Sequence, residues 1–263
     1  MKIVIFDSGV GGLSIFHEVY KRLPEAEYIY VFDNEAYPYG ELDDAILISR
    51  TTTIVSTLVE QYSANIVVIA CNTASTIVLP VLRSMLTIPV VGVVPAIKPA
   101  AQQSVKRKVG LLATPATIGR PYIDALIKDY AMDCDVIRYG STTLVQMAED
   151  KLRGRAIDKA VLKDILAPFA GVDQLVLGCT HFPLLKEEIV RVLGDSVTTA
   201  DSGKAIALRV ETLLKGRKKP ISKKRGLAFC TRLDASAKEL EAYFNLNGFA
   251  GLQPLNAAIL LDA

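Results

Sequence analysis

The sequence predicts an α/β protein of two similar domains, each with a doubly wound parallel sheet. Short apolar runs alternate along the chain with segments whose apolar residues recur at helical spacing, which is typical of parallel sheets. The two halves of the chain also end strands in similar residues at similar spacing. We therefore expect two domains related by pseudo-two-fold symmetry, with the active site in the cleft between them.

Eight apolar runs are predicted to be strands and five segments are predicted to be helices. The strands are residues 3–6, 28–32, 66–70, 90–94, 109–113, 134–137, 175–177 and 227–230. The helices are residues 41–61, 118–130, 156–169, 183–193 and 235–244. Right-handed crossovers place the carboxyl ends of all strands of a sheet at one edge, where this architecture binds ligands.

The halves share a strand that ends in a small residue, a cysteine and a polar pair. Asp7 precedes Cys71 by 64 residues in the first half, and Thr114 precedes Cys179 by 65 residues in the second. A duplicated unit explains this spacing, and chance similarity between two α/β halves is the alternative. The domains are predicted to be residues 1–95 with 207–263, and residues 96–206.

Composition and charge exclude several classes of protein. Hydrophobic residues make up 51% of the chain, and tryptophan is absent, so Val, Ile, Leu and Ala must fill the core. Residues 215–225 hold seven Lys or Arg and no acid, and we interpret them as a solvated linker. The net charge of +2 therefore hides an acidic remainder, and no nucleic-acid partner is expected.

The chain is expected to be cytoplasmic and not to enter a membrane. Its first residues do not form the apolar core of a signal peptide. Residues 61–82 carry no charge, but their middle is polar and Pro80 follows, which would be costly in hydrocarbon. Cysteines in this compartment stay reduced, and none of the four forms a Cys-x-x-Cys pair.

Two of the four cysteines are predicted to be reactive. Cys71 and Cys179 each lie where a strand gives way to a helix, whose N-terminus can stabilise a thiolate and lower the pKa of the thiol. Cys134 and Cys230 lack such polar neighbourhoods, and we expect them to be inert core thiols. The sequence shows no zinc-ligand spacing and no P-loop, so no metal is expected.

Two activated thiols across one cleft are suited to moving the α-proton of an amino acid. One thiolate removes the proton while the other thiol returns one to the opposite face, without pyridoxal phosphate. Backbone N–H groups at residues 8–12, 72–73 and 180–181 are expected to cradle the substrate carboxylates. Asp7 and His181 can serve as auxiliary groups, or alternatively as a turn residue and a satisfied helix-start histidine.

Four motifs in this order resemble the aspartate/glutamate racemase family, specifically its glutamate racemase branch. They are FDSGVGG (6–12), PYG (38–40), ACNTA (70–74) and GCTHFP (178–183). The resemblance covers essentially the whole chain. It implies cofactor-independent interconversion of L- and D-glutamate, which supplies D-glutamate for peptidoglycan, and we expect a homodimer.

The resemblance also implies roles for individual residues. The thiol of Cys71 would take the proton from D-glutamate, and that of Cys179 would take it from L-glutamate. The auxiliary acids would be Asp7, Asp33 and Glu149, although the residues around Glu149 depart from the family pattern and a solvated helix acid is the alternative. The residues that would hold substrate are Asp7, Ser8, Tyr39, Gly40, Asn72, Thr73, Thr180 and His181.

Three other interpretations stay open. A dinucleotide-binding protein would explain Gly9, Gly11 and Gly12 after a strand, with Asp33 at the end of the next, but Ser14 replaces the third glycine. A non-catalytic binding protein for a dicarboxylic amino acid would need the cleft but not the thiols. Within the family, aspartate differs from glutamate by one methylene, which changes selectivity only modestly.

Overall fold

The computed structural model describes residues 1–217 and 226–255, in two compact units. Unit 1 comprises Met1–Val93 with Gly203–Ala263, and unit 2 comprises Val94–Ser202. Each unit contains a parallel sheet with helices in its crossovers, so the predicted class of two parallel-sheet α/β domains is confirmed. Most of the basic segment 215–225 and the last eight residues lie outside the described residues.

All strand pairs in both sheets are parallel. The strands of the described residues are β1 (Lys2–Asp7), β2 (Glu27–Phe32), β3 (Ile66–Ile69), β4 (Val90–Gly92), β5 (Lys108–Ala113), β6 (Asp135–Gly140), β7 (Gln174–Leu177), β8 (Thr198–Ala200), β9 (Gly226–Cys230) and β10 (Phe249–Pro254). The sheet of unit 1 has the order β10-β9-β2-β1-β3-β4, and the sheet of unit 2 has the order β6-β5-β7-β8.

Helices connect the strands in both units. The α-helices of the described residues are α1 (Leu13–Arg22), α2 (Asp44–Tyr62), α3 (Asn72–Met85), α4 (Ile97–Gln103), α5 (Pro115–Ile118), α6 (Pro121–Tyr130), α7 (Thr143–Leu152), α8 (Lys159–Leu166), α9 (Lys186–Leu193), α10 (Gly203–Leu214), α11 (Ala235–Lys238) and α12 (Glu241–Leu246). Short 3₁₀ helices are Tyr39–Glu41, Ala167–Phe169 and Phe182–Leu185.

The central strands are buried on both faces, which explains their uniformly apolar sequences. Positions 3–6 of β1 and all of β3 are fully buried, as expected of strands covered by helices on both sides. Strand β6 is partly exposed along its length because it lies at the edge of its sheet.

Each predicted strand overlaps an observed strand, but two observed strands were missed. Strand β10 contains Gly251 with φ +97° and ends at Pro254, and both residue types argue against a strand. Strand β8 has only three residues, too few to give a recognisable apolar run. The predicted helix 235–244 is also divided, into α11 and α12.

Among residues 1–217 and 226–255, no helix combines the length and apolarity needed to cross a bilayer. Residues 61–82 contain the end of α2, the buried strand β3 and most of α3. The uncharged stretch is therefore part of the unit 1 core.

Candidate active site

The carboxyl edge of the unit 1 sheet collects several of the predicted site residues. Asp7 ends β1, Asp33 follows β2, and Cys71 comes two residues after the end of β3. Thr231 follows β9, which pairs with β2 in the same sheet. All four side chains are buried, so this edge is a polar cluster inside unit 1.

Cys71 is the N-cap residue of α3. Its Sγ accepts a hydrogen bond from the backbone N–H of Ala74 at 3.5 Å, and it lies 3.6 Å from the Ser8 hydroxyl oxygen. The N-terminus of a 14-residue helix carries partial positive charge. The predicted placement of this thiol at a helix start is therefore confirmed.

The Asp7 carboxylate closes the glycine-rich turn that follows β1. It accepts hydrogen bonds from the backbone N–H groups of Ser8 at 2.8 Å and Gly12 at 2.6 Å. A Cβ on Gly12 would lie 2.9 Å from the Tyr30 hydroxyl and 3.0 Å from the Asp7 Cβ, so only glycine fits. We had expected the amides of residues 8–12 to bind a substrate carboxylate, and for these two that expectation is wrong because Asp7 occupies them.

The same contacts argue against the dinucleotide-binding interpretation. A pyrophosphate would need the amides of this turn, and Asp7 would place a negative charge beside it. The turn serves the arrangement of Asp7, Ser8 and Cys71 instead.

Asn72 and Thr73 form the first turn of α3, directly after Cys71, and both are buried. The Oδ1 atom of Asn72 accepts no hydrogen bond within the described part of the chain. A buried amide oxygen without a partner is costly, and it is a ready acceptor for a ligand N–H group.

Asp33 is held by four donors and has no exposed side-chain surface. Its Oδ2 accepts from the Tyr39 hydroxyl at 2.7 Å and from Arg50 Nε at 2.7 Å. Its Oδ1 accepts from Arg50 Nη2 at 2.8 Å and from the Thr231 hydroxyl at 2.7 Å. These contacts tie the end of β2 to α2, to β9 and to Tyr39, while the neighbouring Gly40 is exposed.

The Asp33 cluster changes the acid–base properties of its partners. Burial raises the pKa of Tyr39 well above its ordinary value, and the negative charge of Asp33 raises it further. The hydrogen bond to Asp33 raises the pKa of Arg50 as well. Tyr39 therefore keeps its proton and donates a hydrogen bond to Asp33, and Arg50 stays a cation.

The thiol of Cys179 is placed differently from that of Cys71. Cys179 follows β7, but the next helix is the 3₁₀ helix Phe182–Leu185, and α9 begins only at Lys186. The expectation that a helix starts directly at this thiol is wrong. Its neighbour is a histidine instead, because the Cys179 Sγ lies 3.7 Å from Nδ1 of His181.

His181 connects Cys179 to a buried carboxylate. Its Nε2 lies 2.8 Å from Oε1 of Glu149 on α7, and Arg153 Nη1 donates to Oε2 of Glu149 at 2.6 Å. Burial alone would lower the pKa of His181, but the bonds and negative charges of Cys179 and Glu149 raise it well above its ordinary value. Glu149 is therefore a buried partner of the histidine, and its interpretation as a solvated helix acid is wrong.

The structure thus brings the predicted residues into two clusters, one in each unit. Unit 1 joins Asp7, Ser8 and Cys71, and unit 2 joins Cys179, His181 and Glu149. Thr180 is buried beside the second cluster. Of the other two cysteines, Cys230 is buried as expected and Cys134 is half-exposed, so the prediction of a core thiol is wrong for Cys134.

Three residues that contact predicted site residues were not identified from the sequence: Arg50 and Thr231 at Asp33, and Arg153 at Glu149. Arg153 follows Glu149 by four residues, a spacing that pairs side chains on a helix and could have identified it. Arg50 and Thr231 reach Asp33 only through the packing of α2 and β9, for which the sequence holds no local signal.

Each of the two parallel α/β units holds a buried thiol shortly after a strand, Cys71 in unit 1 and Cys179 in unit 2. A family model described as Asp/Glu/Hydantoin racemase matches residues 14–210. The chain belongs to this family, and it is therefore an isomerase of the racemase type.

Within this family, the chain is similar in sequence and structure to proteins named glutamate racemases. The chain is 58% identical over 226 residues to a glutamate racemase of Vibrio campbellii, covering 86% of this chain and 84% of the relative. It is similar to the Escherichia coli glutamate racemase solved with L-glutamate and the activator UDP-MurNAc-ala, with a TM-score of 0.92, 44% identity and 97% of each chain covered. It also resembles the Francisella tularensis glutamate racemase solved with D-glutamate, with a TM-score of 0.80, 26% identity and 97% of each chain covered.

Proposed function

We propose that this protein interconverts L- and D-glutamate with two cysteine bases and no cofactor, and so supplies D-glutamate for peptidoglycan. One observation carries the proposal: Cys71 in unit 1 and Cys179 in unit 2 are each buried two residues after the end of a strand, with polar partners within 3.7 Å of the sulfur. The names of the relatives, and the enantiomers bound in two of them, support glutamate as the substrate.

In this scheme the two directions of the reaction use the same proton-transfer steps, with the roles of the two cysteines exchanged. In the L-to-D direction the Cys179 thiolate removes the α-proton, so a C–H bond breaks and an S–H bond forms. The Cys71 thiol then donates its proton to the opposite face of the carbanion and becomes a thiolate. The D-to-L direction runs in reverse, and each turnover leaves the other thiol protonated.

Groups next to each sulfur can stabilise the thiolate form of the cysteine. At Cys179, Glu149 accepts from Nε2–H of His181, which leaves the Nδ1 atom to accept the thiol proton or, once protonated, to stabilise the thiolate. At Cys71, the N–H of Ala74 and the hydroxyl of Ser8 take that role.

Binding of the substrate is proposed to use residues from both clusters. The unpartnered Oδ1 of Asn72 suits the α-ammonium group, because it is a buried acceptor. Backbone and hydroxyl donors would hold the two carboxylates. The remaining residues that we propose for binding are Asp7, Ser8, Tyr39, Gly40, Thr73, Thr180 and His181.

The proposal extends to the arrangement of the molecule. The two-base scheme requires both sulfurs to face one α-carbon from opposite sides. We also propose a homodimer in the cytoplasm, where the thiols stay reduced.

The test is exchange of the α-hydrogen in deuterated water. The wild-type protein is expected to deuterate both enantiomers of glutamate while optical rotation is lost. Cys71→Ser and Cys179→Ser should each lower the racemisation rate by about 10²- to 10⁴-fold, because a hydroxyl is a far weaker base than a thiolate. Cys134→Ser is the control and should racemise at the wild-type rate. Full activity in either single variant would refute the two-base scheme.

A further inference from the structure

We propose that Asp33 and Arg50 form a positioning pair for the substrate-binding segment at Tyr39–Gly40, and that Asp33 takes no part in the proton transfer. The inference rests on the proposed function. It departs from the role of auxiliary acid that the family resemblance implies for Asp33, and it adds Arg50 and Thr231 to the residues that shape the site.

The hydrogen bonds of Asp33 leave no place for a transferable proton. Each carboxylate oxygen accepts two hydrogen bonds, at distances from 2.7 to 2.8 Å. All four come from donors, and a proton added to Asp33 would have to displace one of them. An acid–base residue needs a free position that faces its substrate, which Asp33 lacks.

Arg50 is the donor that fixes the geometry of the cluster. Its Nε and Nη2 bind the two oxygens of Asp33 in the bidentate arrangement that only arginine can make. Its Nη2 also reaches Glu35 at 3.1 Å. Arg50 lies on α2, a 19-residue helix packed on the sheet, so the direction of the carboxylate is set by a rigid element.

Asp33 in turn fixes Tyr39. The Tyr39 ring is buried next to Phe6, with ring centroids 6.1 Å apart, and its hydroxyl ends on Asp33. Tyr39 belongs to the same buried cluster as Cys71. Because the ring is held at both ends, the backbone of Tyr39 and Gly40 is held as well, and a shift of this segment would weaken substrate binding.

The test compares variants that break the pair from each side. Arg50→Met and Asp33→Asn should each raise the KM for both enantiomers by about ten- to a hundred-fold, with kcat changed less than about threefold. The double variant should raise KM no more than either single variant, because both remove the same interaction. Arg50→Lys should restore KM in part.

The pH profile separates positioning from proton transfer. Both single variants are expected to keep the wild-type pH dependence of kcat. If Asp33→Asn removes one limb of that profile while Arg50→Met leaves KM within about twofold, Asp33 is an acid–base residue and the inference is wrong. A variant that only unfolds would lower the amount of active enzyme and leave KM unchanged.

Two further variants distinguish a specific effect on KM from a general loss of folding. Thr231→Val removes one donor without touching the buried charge pair and should raise KM several-fold, whereas an unchanged KM would overturn the inference. Arg138→Met breaks a more exposed ion pair with Asp124 in unit 2 and should leave KM and kcat as in the wild type. A wild-type protein that does not racemise glutamate refutes the proposed function, whereas an active wild type with unchanged variants refutes this inference alone.

Discussion

His181 lies between two groups that both favour its protonated form. Glu149 contacts one ring nitrogen at 2.8 Å and Cys179 contacts the other at 3.7 Å. Arg153 balances part of the negative charge of Glu149. The stability of this cluster therefore depends on the protonation of the histidine, and its pH dependence has a defined sign.

Replacing Glu149 by glutamine should destabilise the protein most at low pH. The folded-state pKa of His181 is raised above 6.5, so its stabilisation is complete below pH 6.5 and is lost as pH rises through the raised value. We expect Glu149→Gln to cost about 3 kcal/mol below pH 6.5 and progressively less at higher pH.

The measurement is thermal unfolding of both proteins from about pH 5.5 to about pH 9.5. Asp150→Asn is a matched control on the same helix, because Asp150 forms an ion pair with Arg155, which stays charged throughout. Its cost should be small and constant with pH. A Glu149→Gln deficit that grows with pH would contradict the assignment.

The sequence was informative about the site wherever the residues are neighbours in the chain. Asp7 with Ser8 and Cys179 with His181 lie within two residues of each other, so strand ends alone bring them together. Glu149 reaches His181 across 32 residues, and Thr231 reaches Asp33 across 198. Such contacts depend on how helices and strands pack, which no local pattern encodes.

Among the elements, β5 shows how a strand can require a residue with no side chain. A Cβ on Gly110 would lie 2.6 Å from Cδ1 of Phe169 and 2.8 Å from Cδ1 of Leu175. Both side chains are fully buried, and Leu175 is paired with Gly110 across the sheet. Neither can move without disturbing the core of unit 2.

Gly110→Ala should therefore destabilise unit 2 by about 1–3 kcal/mol, although alanine is a better strand residue than glycine in general. Gly119→Ala is the control, since its nearest atom would be 3.6 Å away, and it should change stability by less than about 0.5 kcal/mol. Denaturant unfolding followed by circular dichroism measures both. Equal stability of the two variants would show that the ring of Phe169 can move aside.

Strands were predicted correctly where their apolar residues are continuous. They were missed where a strand forms mainly because a neighbouring strand pairs with it. Strands β1 and β3 have only apolar residues at their centres and were predicted within one residue at each end. Strand β10 holds glycine and proline and exists because β9 lies beside it. A strand of this kind is stabilised by its neighbour more than by its own sequence.

At the scale of the whole molecule, the two units differ in how the chain builds them. Unit 2 is one continuous segment with its own four-stranded sheet and its own buried cluster around β5 and α4. Unit 1 is assembled from two segments, and its sheet is complete only when β9 pairs with β2 and β10 pairs with β9. We therefore expect unit 2 to fold without the segments of unit 1, whereas the first segment of unit 1 should not fold without the second.

The isolated segment Val94–Ser202 is expected to fold alone, because its sheet and core lie within that segment. It should show helical circular dichroism and a cooperative thermal transition. The isolated segment Met1–Val93 is expected to lack a cooperative transition, because one edge of β2 is left without its partner β9. A disordered Val94–Ser202 fragment would contradict this view of unit 2.

This discontinuity also sets the order of events on the ribosome. Between Phe32 and Gly226, synthesis takes about 10 to 40 seconds at roughly 5–20 residues per second. During that time the nascent chain carries β2, with its run of aromatic and β-branched residues, as an open hydrogen-bonding edge. Unit 2 can finish folding within the interval, whereas unit 1 waits for the last strands to emerge. Strand β9 thus covers the aggregation-prone edge of β2 late in synthesis, and translation products that stop before Gly226 should be insoluble.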